Sequence, residues 1–368
     1  MRRIFIIIIV LMFIFAGCSY KDMNRLEFST LGCSDINEKG EIVSYGEVFL
    51  TSRTAQVAGT EVRIIAKGSG KTLYDAFSLN LPNEELPVSY DITKAMIFTR
   101  RAAEKGLDIF LDPYQRDQKP AIKQYMFICE QSPEEILKVE IPNEKFLGFY
   151  LESFMVYYGN SQYIASIRIN EFINNRHMGS QVNLVPIIKT GKQVENEKIE
   201  IDGAAVIVED KMVSKLEKVE VGIYKYMVDK MMMGSIIIDN PMSHDGYISL
   251  IIINSNTKKD ILIENDNEIH LNLSMHILVN INEVQGGITL TDKEAREQVK
   301  KKAEEKVKLD CQELFKKYQQ QEIDLLNIKS DVMRKDARVD FDIKNVEMNI
   351  DVNVEIDGSG VNTNTNMQ

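Results

Sequence analysis

The stretch IHLNLSMHILVNI, residues 269–281, places Ile269, Leu271, Leu273, Met275, Ile277, Val279 and Ile281 at every second position. A period of two sets these seven side chains on one side of an extended chain, so the stretch predicts a long strand with one buried face. On its carboxyl side Val299, Ala303, Val307, Cys311, Leu314 and Tyr318 recur at spacings of four and three among Lys and Glu. That spacing draws one apolar stripe down a long helix, expected to pack on the sheet and not to form a coiled-coil arm. Val339, Phe341 and Ile343 then predict the start of a last strand. Its apolar phase flips to Val346, Met348, Ile350, Val352, Val354 and Ile356, which implies a bulge or turn near Lys344-Asn345. Upstream, residues 199–208, interrupted by Asp202-Gly203, and residues 213–216, after a turn at Lys211-Met212, also read as strands.

The first half mixes shorter elements. Residues 61–65, 92–99 and 125–129 predict strands, and residues 72–80 a short helix. Residues 100–105 predict a helical turn stopped by Gly106, because glycine accepts the left-handed conformation at a helix end. Ser132-Pro133-Glu134-Glu135 is a capping box with proline at the first helical position. Residues 146–158 put Leu147, Tyr150, Leu151, Phe154 and Tyr158 on a helical stripe ended by Gly159, and residues 162–174 predict another helix. Val185-Pro186 is expected to break regular structure, and the polar run before residue 199 to mark a boundary.

The fold class is therefore α+β and multi-domain: mixed sheets flanked by helices, with long antiparallel strands and one long amphipathic helix in the C-terminal domain. The expected organisation is an N-terminal α/β domain at 18–190, a linker at 191–198, a C-terminal α+β domain at 199–358 and a disordered tail at 359–368, preceded by a signal peptide at 1–17.

That signal peptide has a charged start at Arg2-Arg3, an unbroken apolar run over residues 4–15, and Ala16-Gly17-Cys18 before polar residues. Twelve apolar residues in helix span roughly 18 Å, short of the roughly 30 Å hydrocarbon core, so a permanent span is not expected. The small residues before Cys18 resemble a bacterial lipobox, with Phe15 where leucine is usual. On that reading Cys18 is diacylated and becomes the new N-terminus, and two acyl chains make a stable anchor where one is marginal.

The 368 residues carry 44 basic and 55 acidic side chains, a net charge of −11. With 44% apolar and 27% charged residues, neither a wholly disordered chain nor a polytopic membrane protein fits. The acidic balance, without a basic stripe, argues against nucleic acid as a partner. Four cysteines and no tryptophan exclude a disulfide scaffold; Cys129 and Cys311 read as small core residues.

Chemistry is sparse. Gly68-Ser69-Gly70-Lys71-Thr72 imitates a phosphate-binding loop, but Ile65 stands where the first glycine is needed, and an ordinary turn before a helix explains it. His177, His244, His270 and His276 form no ligand pair at helical spacing. His270 and His276 share a strand face roughly 20 Å apart, too far for one metal ion. His244-Asp245 reads as a solvated loop. Met231-Met232-Met233 with residues 236–238 is too short to span a membrane and reads as core. No catalytic residue, cofactor site or metal site is expected, and the chain is not expected to be an enzyme.

Taken in order, these features resemble the Ger(x)C family of lipoproteins. The lipid cysteine is followed closely by an aspartate, as at Cys18 and Asp22. A Lys-Gly turn precedes an acid-alanine pair, as at Lys67 to Gly70 and Asp75-Ala76. A strand at 92–99, a helix at 102–106, Arg116-Asp117, Asp202-Gly203-Ala204-Ala205-Val206 with Lys211-Met212, and a late helix entering residues 316–324 complete the set. Two positions depart from the family: Ser19-Tyr20-Lys21-Asp22 lacks its tryptophan, and Ser89-Tyr90-Asp91 stands where a histidine is common. The resemblance implies a non-catalytic C subunit of a spore germinant receptor, held by diacylglycerol on Cys18 to the outer face of the spore inner membrane. Its implied partners are A-type and B-type integral membrane subunits; whether it contacts a small molecule is left open. A lipid-anchored solute-binding protein of a transporter is the alternative.

Overall fold

The computed structural model describes residues 26–50, 62–78, 88–116, 123–177, 181–193, 196–229, 231, 233–243, 245–264, 268–286 and 293–358. The signal peptide, Cys18, His244 and the tail at 359–368 lie outside them. The first sheet contains β1 (Glu27–Ile36), β2 (Ile42–Leu50), β3 (Val62–Gly70), β4 (Val88–Ser89), β5 (Ala95–Thr99), β6 (Tyr125–Cys129), β7 (Val182–Gln193), β8 (Asn196–Val208) and β9 (Lys211–Leu216). Their order is β3-β2-β1-β5-β6-β7-β8-β9, with β4 beside the start of β1. Pairing is parallel from β1 through β7 and antiparallel at both ends.

Helices cover both faces of this sheet. On one, α1 (Leu73–Ser78), α2 (Arg100–Lys105), α3 (Asp108–Arg116) and, further along, Ile169 and Phe172 bury a core with Phe98, Met126 and Ile187. On the other, α4 (Pro133–Leu137) and α5 (Leu147–Tyr158) enclose Leu31, Ile97 and Phe127. α6 (Ile169–Arg176) supplies Ile169 and Phe172 to the first face. Strands buried on two sides read as continuous apolar runs, which is why residues 95–98 and 125–129 show no alternation.

The second sheet holds β10 (Gly234–Asp239), β11 (Tyr247–Ile263), β12 (Ile269–Val284) and β13 (Glu347–Gly358) in that order. All seven alternating residues of β12 are buried, each contributing about 1.5–3 kcal/mol by leaving water. α7 (Lys218–Met227), α8 (Lys293–Gln320) and α9 (Ile328–Lys335) accompany it. The α8 stripe is buried as its spacing requires, extended by Ala295 and Phe315. β11 and β12 are antiparallel, whereas β13 joins β12 in parallel, the crossover running through α8.

The fold is thus the expected α+β arrangement of two mixed sheets flanked by helices, and six local expectations need correction, the smallest being the turn expected at Lys211-Met212, whose residues pair with Val208 and Ile207 as the start of β9. Of residues 191–198, expected as a linker, the described ones end β7 and begin β8 as a paired antiparallel ladder: Thr190 pairs with Ile199 and Lys192 with Glu197. Their polarity reflects the exposed end of that ladder, and β8 and β9 complete the first sheet. Val185-Pro186 lies inside β7; Pro186, which has no N–H to donate, sits where the β8 register shifts, before parallel pairing to β6 begins at Ile187. The helix expected at 162–174 starts only at Ile169, because the backbone of Ile167 and Ile169 is bonded to Met126 and Gln124. Residues 339–343 are no strand: Asp336 and Asp342 accept from following amides and fold the segment into a 3-10 turn at Ile343–Asn345. On α5 the buried stripe is Leu147, Gly148, Leu151 and Met155, and Tyr158 is exposed.

The two sheets share one core. Leu184, Ala204, Val206 and Leu216 turn one face of β7–β9 toward Val221 of α7 and the interior of the second sheet, while Val185, Ala205 and Ile207 serve the first core. The Tyr318 hydroxyl of α8 donates to the Lys215 carbonyl at 3.0 Å.

Candidate functional site

The junction of the two sheets leaves a cleft of about 850 Å³. One wall is the end of α5, residues 165–168, α6 and the start of β7; the other is α7, Lys259 of β11 and α9. On the first wall the Arg168 guanidinium lies over the Tyr125 ring at 4.3 Å and donates to its hydroxyl at 2.7 Å. Its backbone amide donates to the Glu171 carboxylate, which starts α6. On the second wall Lys259 is ion-paired with Asp331 and donates to the Leu326 carbonyl. Lys225 crosses between the walls: its buried Nζ donates to the carbonyls of Gly159 (3.0 Å) and Ser161 (2.6 Å). Beside it, burial pushes the Tyr224 phenol up to about 12. Arg168, Lys225 and Lys259 therefore serve the structure, and among the described residues no histidine or cysteine lines the cleft. Mixed charge and amide groups suit it to hold a small polar molecule or a polypeptide segment; it does not set a nucleophile beside a base.

The imitation phosphate loop is occupied by its own chain. Gly68, Ser69 and Gly70 are strand residues paired with Ser44, Val43 and Ile42. The Asp75 carboxylate accepts the Lys71 amide at 3.1 Å and sits where a side chain on Gly70 would fall. An anion would meet a carboxylate there. His177 is the exposed end of α6. His270 and His276 stand on the solvent side of β12, each facing a glutamate of β13: Nδ1 of His270 is 3.3 Å from Glu347, and Nε2 of His276 is 3.6 Å from Glu355. Glu264, Glu268 and His270 bring ligand atoms within 4.8 Å of one another at the β11–β12 end. Both glutamates are exposed, as acidic groups commonly are without an ion. Met231 is core and Met233 is exposed. Cys33, Cys129 and Cys311 are buried free thiols; the hydrogen bond that Cys33 makes to Cys129, reinforced by burial, pushes the Cys33 thiol well up.

Sequence reasoning missed the cleft, since its walls come from residues 125 to 334 and none carries a motif. It also missed Glu47, a fully buried carboxylate of β2. Glu47 accepts from the amides of Leu147 (2.9 Å) and Gly148 (3.0 Å), the Thr30 hydroxyl (2.5 Å) and Arg63 Nε (2.5 Å). This clamp seats the first turn of α5 on β1, where Gly148 leaves room for the Thr30 carbonyl.

Two mixed sheets that share one core and are flanked by helices define the class as an α+β protein of two joined lobes. Within it, the family described as spore germination protein N-terminal domain matches residues 19–190, and that described as spore germination B3/GerAC like, C-terminal, matches residues 202–360. The chain belongs to this Ger(x)C family. It is 21% identical over 258 residues to the spore germination protein GerQC of Bacillus cereus, covering 70% of each chain. The crystal structure of the GerBC protein shares its fold with a TM-score of 0.57 at 13% identity, over 88% of this chain and 96% of that one. Among the described residues no helix is long and apolar enough to cross a membrane.

Proposed function

We propose that this chain is the lipid-anchored C subunit of a spore germinant receptor, needed for germination triggered by nutrients. The observation that carries the reading is the ordered match of both family regions along the chain, 19–190 and then 202–360. Cys18 would carry the diacylglycerol and hold the body on the outer face of the spore inner membrane. Tethering there raises the effective concentration of A-type and B-type integral membrane subunits, so modest interfaces suffice for assembly. The role is structural and not catalytic. Cys18→Ala is expected to abolish labelled fatty-acid incorporation and to slow nutrient-triggered germination as deletion does. Normal germination of the deletion strain with every nutrient, in a background without other receptors, would overturn it.

The cleft favours one second reading, a solute-binding protein of a transporter, because it lies at the junction of two lobes and carries polar groups; the unlikeness of the two lobes counts against it, since such proteins pair two similar ones. Calorimetric titration with candidate nutrients separates the two: tight small-molecule binding without any germination defect supports the transporter role.

A further inference from the structure

α5 is apolar or aromatic over most of its surface, Glu152 and Ser153 excepted. Opposite its buried stripe it carries Phe149, Ser153, Val156 and Tyr157, and Tyr150, Phe154 and Tyr158 flank them. Val156, Tyr157 and Tyr158 are 60%, 73% and 54% exposed. The helix has one charged side chain, Glu152, ion-paired with Lys94 at 3.0 Å. A helix on a water-facing surface ordinarily turns Lys and Glu outward, so a surface helix without them calls for a cover.

Its position says what covers it. Ring contacts at 5.4, 5.5 and 5.8 Å link Phe28 to Phe49, Phe49 to Phe146 and Phe146 to Phe149, from the first strand into the first turn of α5. A second ladder, Tyr150–Phe154–Tyr158, continues along the helix at 6.2 and 5.3 Å. Eight residues, 19–26, separate Cys18 from Glu27, and they span at most about 30 Å. An anchor at Cys18 therefore confines this aromatic surface to the neighbourhood of the bilayer.

We infer that the outer face of α5 lies on the lipid bilayer, with Val156, Tyr157 and Tyr158 at the level of the headgroups, while the half-buried rings of Tyr150 and Phe154 pack on the first-sheet core behind them. The inference rests on the Cys18 anchor proposed above. Tyrosine suits that depth because its ring is apolar and its hydroxyl stays wet. The chain's net charge of −11 opposes attraction to anionic lipids, so the contact is apolar and tolerates salt. It adds a second point of attachment and fixes the tilt of the body.

The absence of tryptophan makes single-tryptophan variants clean reporters. The full lipidated chain carrying Tyr157→Trp, Val156→Trp or, as a control from the opposite face of the first sheet, Tyr74→Trp is reconstituted into phosphatidylcholine vesicles. The two α5 reporters are expected to shift to the blue on reconstitution and to lose most of their emission to lipids brominated on the acyl chains. Tyr74→Trp should do neither, and adding phosphatidylglycerol or salt should change little. Co-flotation of the protein without quenching at either α5 position overturns the contact and leaves the anchor standing. Blue emission before any lipid is added overturns it too, because the chain itself then covers the helix. Failure to co-float removes the anchor, and the inference with it.

Discussion

Arg63 Nε meets the carboxylate of Glu47 at 2.5 Å, and the same carboxylate receives two backbone amides of α5. The edge strand β3, its neighbour β2 and a helix some hundred residues away are thereby joined through one buried charge. Removing one partner of such a pair typically costs about 3–5 kcal/mol, since the other charge stays buried and unpaired. Glu47→Ala is expected to destabilise by about that scale and lower the urea midpoint accordingly, because two α5 amides and the Thr30 hydroxyl lose their acceptor as well, and Arg63→Met by less, because those three donors still hold the Glu47 carboxylate. An unchanged midpoint for Glu47→Ala would show that the clamp contributes nothing to stability.

Gly203 and Gly40 share a φ of +81°. A Cβ on Gly203 would lie 2.0 Å from the Leu216 carbonyl oxygen, whereas one on Gly40 meets nothing within 4 Å. Gly40→Ala should cost about 1–2 kcal/mol, the left-handed penalty alone. Gly203→Ala adds a clash between β8 and β9 and should cost at least about 1–3 kcal/mol more. Equal thermal shifts in the two variants would mean that the close approach is relieved freely.

Lys225 holds the end of α5 to α7 through two carbonyls. Lys225→Met keeps the stem and removes the donors, so two sheltered carbonyls lose a charged partner, at about 3 kcal/mol together. Amide exchange should accelerate first around residues 157–163, before the second sheet responds. Exchange that rises uniformly across the chain would assign Lys225 to global stability and not to the local joint between α5 and α7.

How much of this was legible follows from periodicity. β12 and α8 are half-buried elements, so their patterns of two and of three and four survive in the sequence and locate them to within a few residues. β7 and β8 are buried on both faces, their apolar runs carry no period, and the polar end of their ladder reads as a linker. The start of α6 is set by backbone bonds to β6 that no local pattern encodes. The α5 stripe was misplaced because all of that helix but Glu152 and Ser153 is apolar, aromatic or glycine, so the period fades. The cleft is assembled from segments up to two hundred residues apart, and its charged groups look like any other surface residues until the fold pairs them.

Acid sensitivity follows from carboxylates with opposite shifts. Asp202 lies 2.8 Å from Lys215 and 3.0 Å from Lys189, and the Lys215 hydrogen bond leads in holding its carboxyl below the usual range. Hydrogen bonds from Lys67 and then Tyr45 lower Glu134 to about 2. The folded state binds fewer protons than the unfolded one at both sites, so their stabilisation is complete above about pH 5 and is lost as pH falls toward 2. Glu134 and Lys67 are half-exposed, so that pair contributes at most about 1 kcal/mol, and the more sheltered Asp202 should supply the larger share. Asp210 runs the other way: burial, helped by Asp108 and Glu209, raises it despite Arg176, so its charging costs stability as pH rises from about 4. Asp202→Asn is expected to flatten the acid limb of Tm against pH. Asp210→Asn should leave Tm at pH 7 unchanged or higher and steepen that limb. A lower Tm at pH 7 for Asp210→Asn would show that its ion pair with Arg176 outweighs the cost of burial.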